Sequence, residues 1–390
     1  MLALVTVAHA LGALTALAVA PLAPFLLESL ALSRVQAGLF LPAVYLGGVL
    51  MALPAGWFTD RLGVRYTFAL GQLVVGAMIT LAAWSPGYGP LLAFLVLGGF
   101  GFSVLNPATG RAVVEWFPPR ERGIAMGVKQ TGLTLGGLAA ALVLPPIARG
   151  STWHHALTVA GLVSLASATL VAIFYRSRSV HSSTGPAERP RLWELGEFLQ
   201  RPPILVVFGC GLALSLAQSS LMAYLVLYAK DSFEVSAVRA AQFLAIAQIG
   251  GTVSRVLWGV VSDRSFGGRR RPGVVASAAI VAFAYATLAL GTVLPTWLVY
   301  PLVFVAGAGA FGWVGLYFAL VAEIGGPRHA GLLTGAATAC SWSGTLIGPP
   351  IFGLFLEATG GYATSWLILT TIAVAVALTL PRLSPLVQRG

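Results

Sequence analysis

Apolar residues run along this chain in blocks of about twenty or more, and short clusters of Arg, Pro, Gly and Asp separate the blocks. An α-helix rises ~1.5 Å per residue, so about twenty apolar residues cross a hydrocarbon layer ~30 Å thick. The blocks lack the period-two alternation that a membrane β-barrel needs. They predict twelve spanning helices, at 3–27, 35–57, 66–84, 89–111, 122–148, 153–175, 202–228, 237–261, 273–292, 296–320, 329–355 and 362–381. One polar gap, 176–200, exceeds the others and divides the spans into two sets of six, with a short amphipathic helix expected at Leu192–Leu199. The expected architecture is all-α: a six-helix bundle at 1–175, a linker at 176–200 and a second six-helix bundle at 201–390.

Composition agrees. The chain is 57% hydrophobic and 9% charged, against about 25% charged in soluble domains, which excludes a globular protein in water. The net charge of +11 invites a nucleic-acid reading, but the placement of the charges argues against one. Sixteen of the 23 basic residues fall in alternate gaps and the C-terminal tail, while four (Arg34, Arg149, Lys230 and Arg239) fall in the opposite gaps. This bias places both termini in the cytoplasm of a multi-pass protein of the inner (plasma) membrane. Residues 1–27 lack a basic leader and read as a span, not a cleaved signal. Cys210 and Cys340 both stand in apolar blocks, so neither a disulfide nor a metal is expected. With no phosphate loop and no nucleophile–base pattern, no enzymatic activity, cofactor or nucleic-acid partner is expected, and the chain is expected to be monomeric in the bilayer.

Two sequence patterns occur twice. Gly56-Trp-Phe-Thr-Asp60-Arg61-Leu-Gly63-Val-Arg65 is echoed by Gly259-Val-Val-Ser-Asp263-Arg264, followed by Gly267-Gly268-Arg269. Glu115, Pro119, Arg120 and Gly123 keep their spacing in Glu323, Pro327, Arg328 and Gly331. The G-x-x-x-D-R pattern resembles the loop between helices 2 and 3 of the major facilitator superfamily of secondary transporters, and its echo the loop between helices 8 and 9. The resemblance implies two pseudo-symmetric six-helix halves with a substrate site at their interface near the midplane. It also implies a cytoplasmic latch, in which a loop arginine pairs with the acid on helix 4 and the aspartate caps a neighbouring helix. Gly56, Asp60, Arg61, Arg65, Arg111 and Glu115 would form it in the first half, and Asp263, Arg264 and Glu323 in the second. Glycines at three- and four-residue spacing in the fifth and eleventh spans, such as Gly132, Gly136, Gly344 and Gly348, suit either a sliding interface or static close packing.

Two cations stand inside spans. Lys129 lies about two turns into the fifth and Arg255 about two turns into the eighth, roughly 10–12 Å from the cytoplasmic ends. No acid stands in the middle of a span to balance them. An intramembrane cation marks a site by default, and an anionic substrate would supply the counter-charge, with Arg255 offering a fork to a carboxylate. Arg255, one turn before Gly259, is similar to the substrate-holding arginine of the superfamily's monocarboxylate and oxalate carriers. The oxalate carriers place a lysine on helix 11. Here the matching position is Ala337, and the lysine stands on the pseudo-symmetric fifth span. Gly127-Val-Lys129-Gln-Thr-Gly132 also resembles bacterial cyanate- and nitrate-type carriers.

Further substrate-binding candidates are Asn106, where Asn106-Pro107 is expected to break the fourth span, and Gln218, Tyr224, Tyr228, Trp313 and Tyr317 on the seventh and tenth spans, which line the cavity in that family. His9 is a candidate titrating group. The expected function is alternating-access transport of a small organic or inorganic anion, with a coupling proton as a possible co-substrate. The alternatives are efflux of a hydrophobic or cationic drug by proton antiport, and a ligand-binding membrane receptor that transports nothing.

Overall fold

The computed structural model describes residues 1–118, 122–176, 194–293 and 295–383. It contains twelve helices long and apolar enough to cross a membrane. They are α1 (Leu2–Leu30), α2 (Arg34–Ala52), α3 (Arg61–Ala83), α4 (Tyr88–Trp116), α5 (Ala125–Gly150) and α6 (Trp153–Phe174). The second set is α7 (Pro202–Phe233), α8 (Ala237–Ser262), α9 (Arg271–Leu288), α10 (Trp297–Gly326), α11 (Leu332–Thr359) and α12 (Tyr362–Arg382). All twelve expected spans are present. The main differences are at ends such as those of α4, α7 and α10, where the helix continues past the apolar block. Most of the expected linker, 177–193, lies outside the described residues, and of the expected helix at Leu192–Leu199 the described part is Glu194–Leu199.

The chain forms two compact units, one of Met1–Val180 with Met222–Ile249 and one of His181–Leu221 with Gly250–Gly390. Hydrocarbon gives helices no hydrophobic reason to associate, so close packing must do it, and small residues allow the backbones to approach. In the first unit a Cβ added at Gly47 of α2 would stand 1.8 Å from the Val96 carbonyl oxygen of α4. In the second, a Cβ at Gly250 of α8 would stand 2.1 Å from the Phe304 oxygen of α10. The same equivalence holds for α5 on α1, with Gly136 against the Ala10 oxygen (2.3 Å), and for α11 on α7, with Gly344 against the Leu212 oxygen (2.1 Å). Gly47 and Gly250 are related by the offset of Asp60 and Asp263, and Gly136 and Gly344 by that of Glu115 and Glu323. The sequence repeat is therefore a repeat of helix contacts. Gly136 and Gly344 each serve close packing inside a single unit.

Two expectations are corrected. Gly56–Arg65 reads as a loop, but the helical backbone continues from α2 to α3 and departs only at Gly63, at φ 77°. Asp60 and Arg61 are therefore helical residues. A left-handed φ is costly for any side chain with a Cβ, so this glycine makes the turn. Asn106-Pro107 does not break α4, which is helical throughout Tyr88–Trp116. Proline costs one backbone hydrogen bond, a loss that transmembrane helices tolerate because neighbouring groups satisfy the freed carbonyl.

Adding bulk at the α1–α5 contact has a definite expected cost. Gly136→Val should lower stability by about 1–3 kcal/mol through overpacking. Gly127→Ala, where nothing lies within 4 Å, should be neutral or slightly stabilising. Thermal unfolding of the purified variants in detergent checks both.

Candidate functional site

Lys129 of α5 is 2% exposed. Its Nζ donates to the Asn106 side-chain Oδ1 at 2.6 Å, to Thr109 Oγ1 at 3.1 Å and to the Asn106 carbonyl oxygen at 3.4 Å. Asn106 and Thr109 are three residues apart on α4 and so share a face. Thr109 Oγ1 in turn donates to the Leu105 carbonyl oxygen at 2.7 Å. Behind the lysine, buried His9 of α1 places Nδ1 3.2 Å from the Lys129 carbonyl oxygen, a positioning contact to the backbone. Among the described residues, every hydrogen-bond partner of the Lys129 ammonium is a neutral oxygen. Oxygens of α4 thus solvate the cation without neutralising it, while α1 holds the backbone of α5 that carries it.

The other candidates fall in different surroundings. Arg255 of α8 is half-buried, and its Nε donates to the Phe311 carbonyl oxygen of α10 at 3.0 Å. On α7, Gln218 has a buried Oε1 with no hydrogen-bond partner among the described residues. Tyr317 of α10 is buried and packs edge-on against Trp313, with ring centroids 5.2 Å apart. Tyr224 is fully buried in the first unit, where its hydroxyl donates to the Arg34 carbonyl oxygen at 2.9 Å. Tyr228 stacks edge-on with Phe233.

The latch residues resolve into two local clusters. Glu115, with its side chain 4% exposed, accepts from Arg111 Nε at 3.3 Å and from the Tyr175 hydroxyl at 3.0 Å. Burial and the neighbouring Glu115 carboxylate raise the Tyr175 phenol well above its ordinary range, so it remains a donor. Arg65 spans α3 to α6, its Nε donating to the Ala172 carbonyl oxygen at 2.7 Å. In the second unit Arg271 Nη1 makes the corresponding bond to the Leu383 oxygen at 2.8 Å. Arg61 and Arg264 are exposed, the side chains of Asp60 and Asp263 lie outside those described, and Gly56 is known only as a helical backbone position. Two pairings differ from expectation: Glu115 takes Arg111 of its own helix and not a loop arginine, and Glu323 accepts from Arg270 Nε at 3.2 Å, not from Arg264. Gly267 and Gly268, both at positive φ, reverse the chain after α8, and Arg270 then bonds Ser262 Oγ at 2.9 Å beside Glu323.

Sequence reasoning missed two sets of contacts. In the first unit Arg34 Nη2 pairs with Asp231 Oδ2 at 2.8 Å, and Lys230 pairs with Glu28. All four residues fall on the sparsely charged side of the chain, but a separation of about 200 residues gives no local signal that they meet. In the second unit His329 Nε2 lies 2.6 Å from Glu194 Oε2 of the helix before α7.

Twelve spans in two contact-repeated sets, with a cation inside one of them, mark the chain as a multi-pass membrane protein. The Major Facilitator Superfamily profile matches residues 4–349, and the chain belongs to that family. It is similar to a hexuronate transporter of Bacillus subtilis (strain 168), 24% identical over 383 residues, covering 92% of this chain and 88% of that protein. It is also similar to a probable sulfoacetate transporter of Cupriavidus necator, 26% identical over 375 residues, covering 89% and 84%. The crystal structure of a D-xylose–proton symporter superposes with a TM-score of 0.78 over 99% of this chain and 98% of that one, at 17% identity, and shares the fold.

The Arg34–Asp231 pair is partly exposed, so neutralising it with Asp231→Asn should cost less than about 1 kcal/mol. Asp231→Arg should cost more by setting like charges together, and Arg34→Glu in the same chain should restore most of the loss. Unfolding temperatures of the two single variants and the double variant measure the coupling directly.

Proposed function

We propose that this transporter carries a small organic or inorganic anion, monocarboxylate-like in size, across the inner membrane by alternating access, with both termini in the cytoplasm. Lys129 supplies the principal positive charge for binding and Arg255 a second. The observation that carries the reading is the Lys129 ammonium, buried within a span and surrounded by neutral oxygens. A desolvated charge without a counter-charge costs several kcal/mol, and a bound anion offsets that cost. The relatives agree in kind, since hexuronate and sulfoacetate are both organic anions. A proton travelling with a monoanion makes the carried unit neutral, so proton symport is the coupling that fits. The paired D-R segments act as the cytoplasmic latch, with Glu115 and Glu323 as its acids and Asp60, Arg61, Asp263 and Arg264 as its switching charges.

The test is thermal unfolding of the purified protein against D-glucuronate, sulfoacetate, acetate, nitrate and cationic dyes. A ligand at 100 times its Kd should stabilise the folded state by about 2.7 kcal/mol. An anion should do so in the native protein and lose the effect in Lys129→Gln. Stabilisation by dyes alone, unchanged in Lys129→Gln, would overturn the reading in favour of drug efflux.

A further inference from the structure

The cation of this site is buried, but its partner Asn106 is not. Lys129 is 2% exposed, whereas Asn106 is an exposed residue in the interior of α4. Successive helical residues turn by about 100°, so Asn106, nine positions after Leu97, points to the opposite side of the helix from it. Leu97 is 40% exposed and, with exposed Ala93 one turn earlier, marks the lipid-facing stripe of α4. A polar side chain within a span belongs on a side turned away from lipid, where water reaches it.

The bond between the two residues fixes the orientation of the amide. An ammonium group only donates, so the Asn106 atom 2.6 Å from Lys129 Nζ is the oxygen. The planar carboxamide then turns its NH2 away from the lysine. The bond is charge-assisted, and withdrawal of electron density through the oxygen makes both N–H groups stronger donors.

We propose that Asn106, not Lys129, is the group that touches the anion, and that Lys129 is a positioning residue acting through it. The Asn106 NH2 donates its two N–H groups to an oxyanion, a carboxylate or sulfonate, while the lysine behind it supplies the field. This inference rests on the anion reading above and adds to it the identity of the contacting atom. Such a site takes its ligand without bringing the ammonium out of its oxygen cage, and the anion pays no penalty for stripping water from a lysine.

The experiment uses the full-length protein in detergent, with D-glucuronate and sulfoacetate as probes, and measures affinity by titration calorimetry. The variants are Asn106→Ala, Asn106→Ser, Lys129→Met and the Asn106→Ala/Lys129→Met double. The relay predicts at least a tenfold loss of affinity in Asn106→Ala and Asn106→Ser. It also predicts a double variant no weaker than either single one, because the two residues act as one unit. Direct contact by Lys129 predicts the reverse: Asn106→Ala frees the ammonium, and affinity holds or rises. That result overturns the relay while leaving the anion reading intact. Binding of neither probe by the native protein overturns the reading itself, and the relay with it. The double variant removes the charge together with its partner and so avoids a stranded charge. It provides a folded reference if a single variant fails to accumulate.

Discussion

An ammonium group in a hydrocarbon layer has to be solvated by the protein around it, and that requirement organises the first unit of this transporter. Lys129 is surrounded by oxygens from α4, and its own backbone carbonyl is contacted by His9 of α1. To bring three helices this close, α5 carries glycine where it meets α1, at Gly136 against Ala10. The packing device and the candidate site are therefore one construction. Bulk added at the contact would move the lysine as well as loosen the bundle.

The second unit repeats the packing but not the charge. Gly250 and Gly344 reproduce the close contacts of Gly47 and Gly136, and Arg271 reproduces the carbonyl bond of Arg65. The residue equivalent to Lys129 is Ala337, which is fully buried. Cationic character in the second unit comes instead from Arg255 on α8, held by a backbone oxygen of α10. Duplication preserved what lipid packing demands, while the cations differ between the copies, as expected if packing is a requirement of the fold and the cation a requirement of the cargo.

Most of the fold was legible in the sequence, because a hydrocarbon core dictates both the length and the polarity of each span. The limits of legibility are local. The D-R segment reads as a loop because Asp, Arg and Gly cluster there, yet the same residues continue a helix until Gly63. Glu323 takes Arg270 rather than Arg264 because two left-handed glycines redirect the chain, a detail of backbone geometry that composition does not carry. The Arg34–Asp231 and Glu28–Lys230 pairs had no sequence signal at all. Lys129 was visible as a charge inside a span. Its surroundings were half visible, since Asn106 and Thr109 stand one helical turn apart on the same helix.

The proposed anion transport depends above all on the buried ammonium of Lys129. The most direct test is uptake of radiolabelled D-glucuronate and sulfoacetate into proteoliposomes containing the native protein or Lys129→Gln, with unfolding temperature confirming that both are folded. Saturable uptake of at least one of these anions is expected for the native protein, and its loss in the variant. Equal uptake by the two proteins would contradict it.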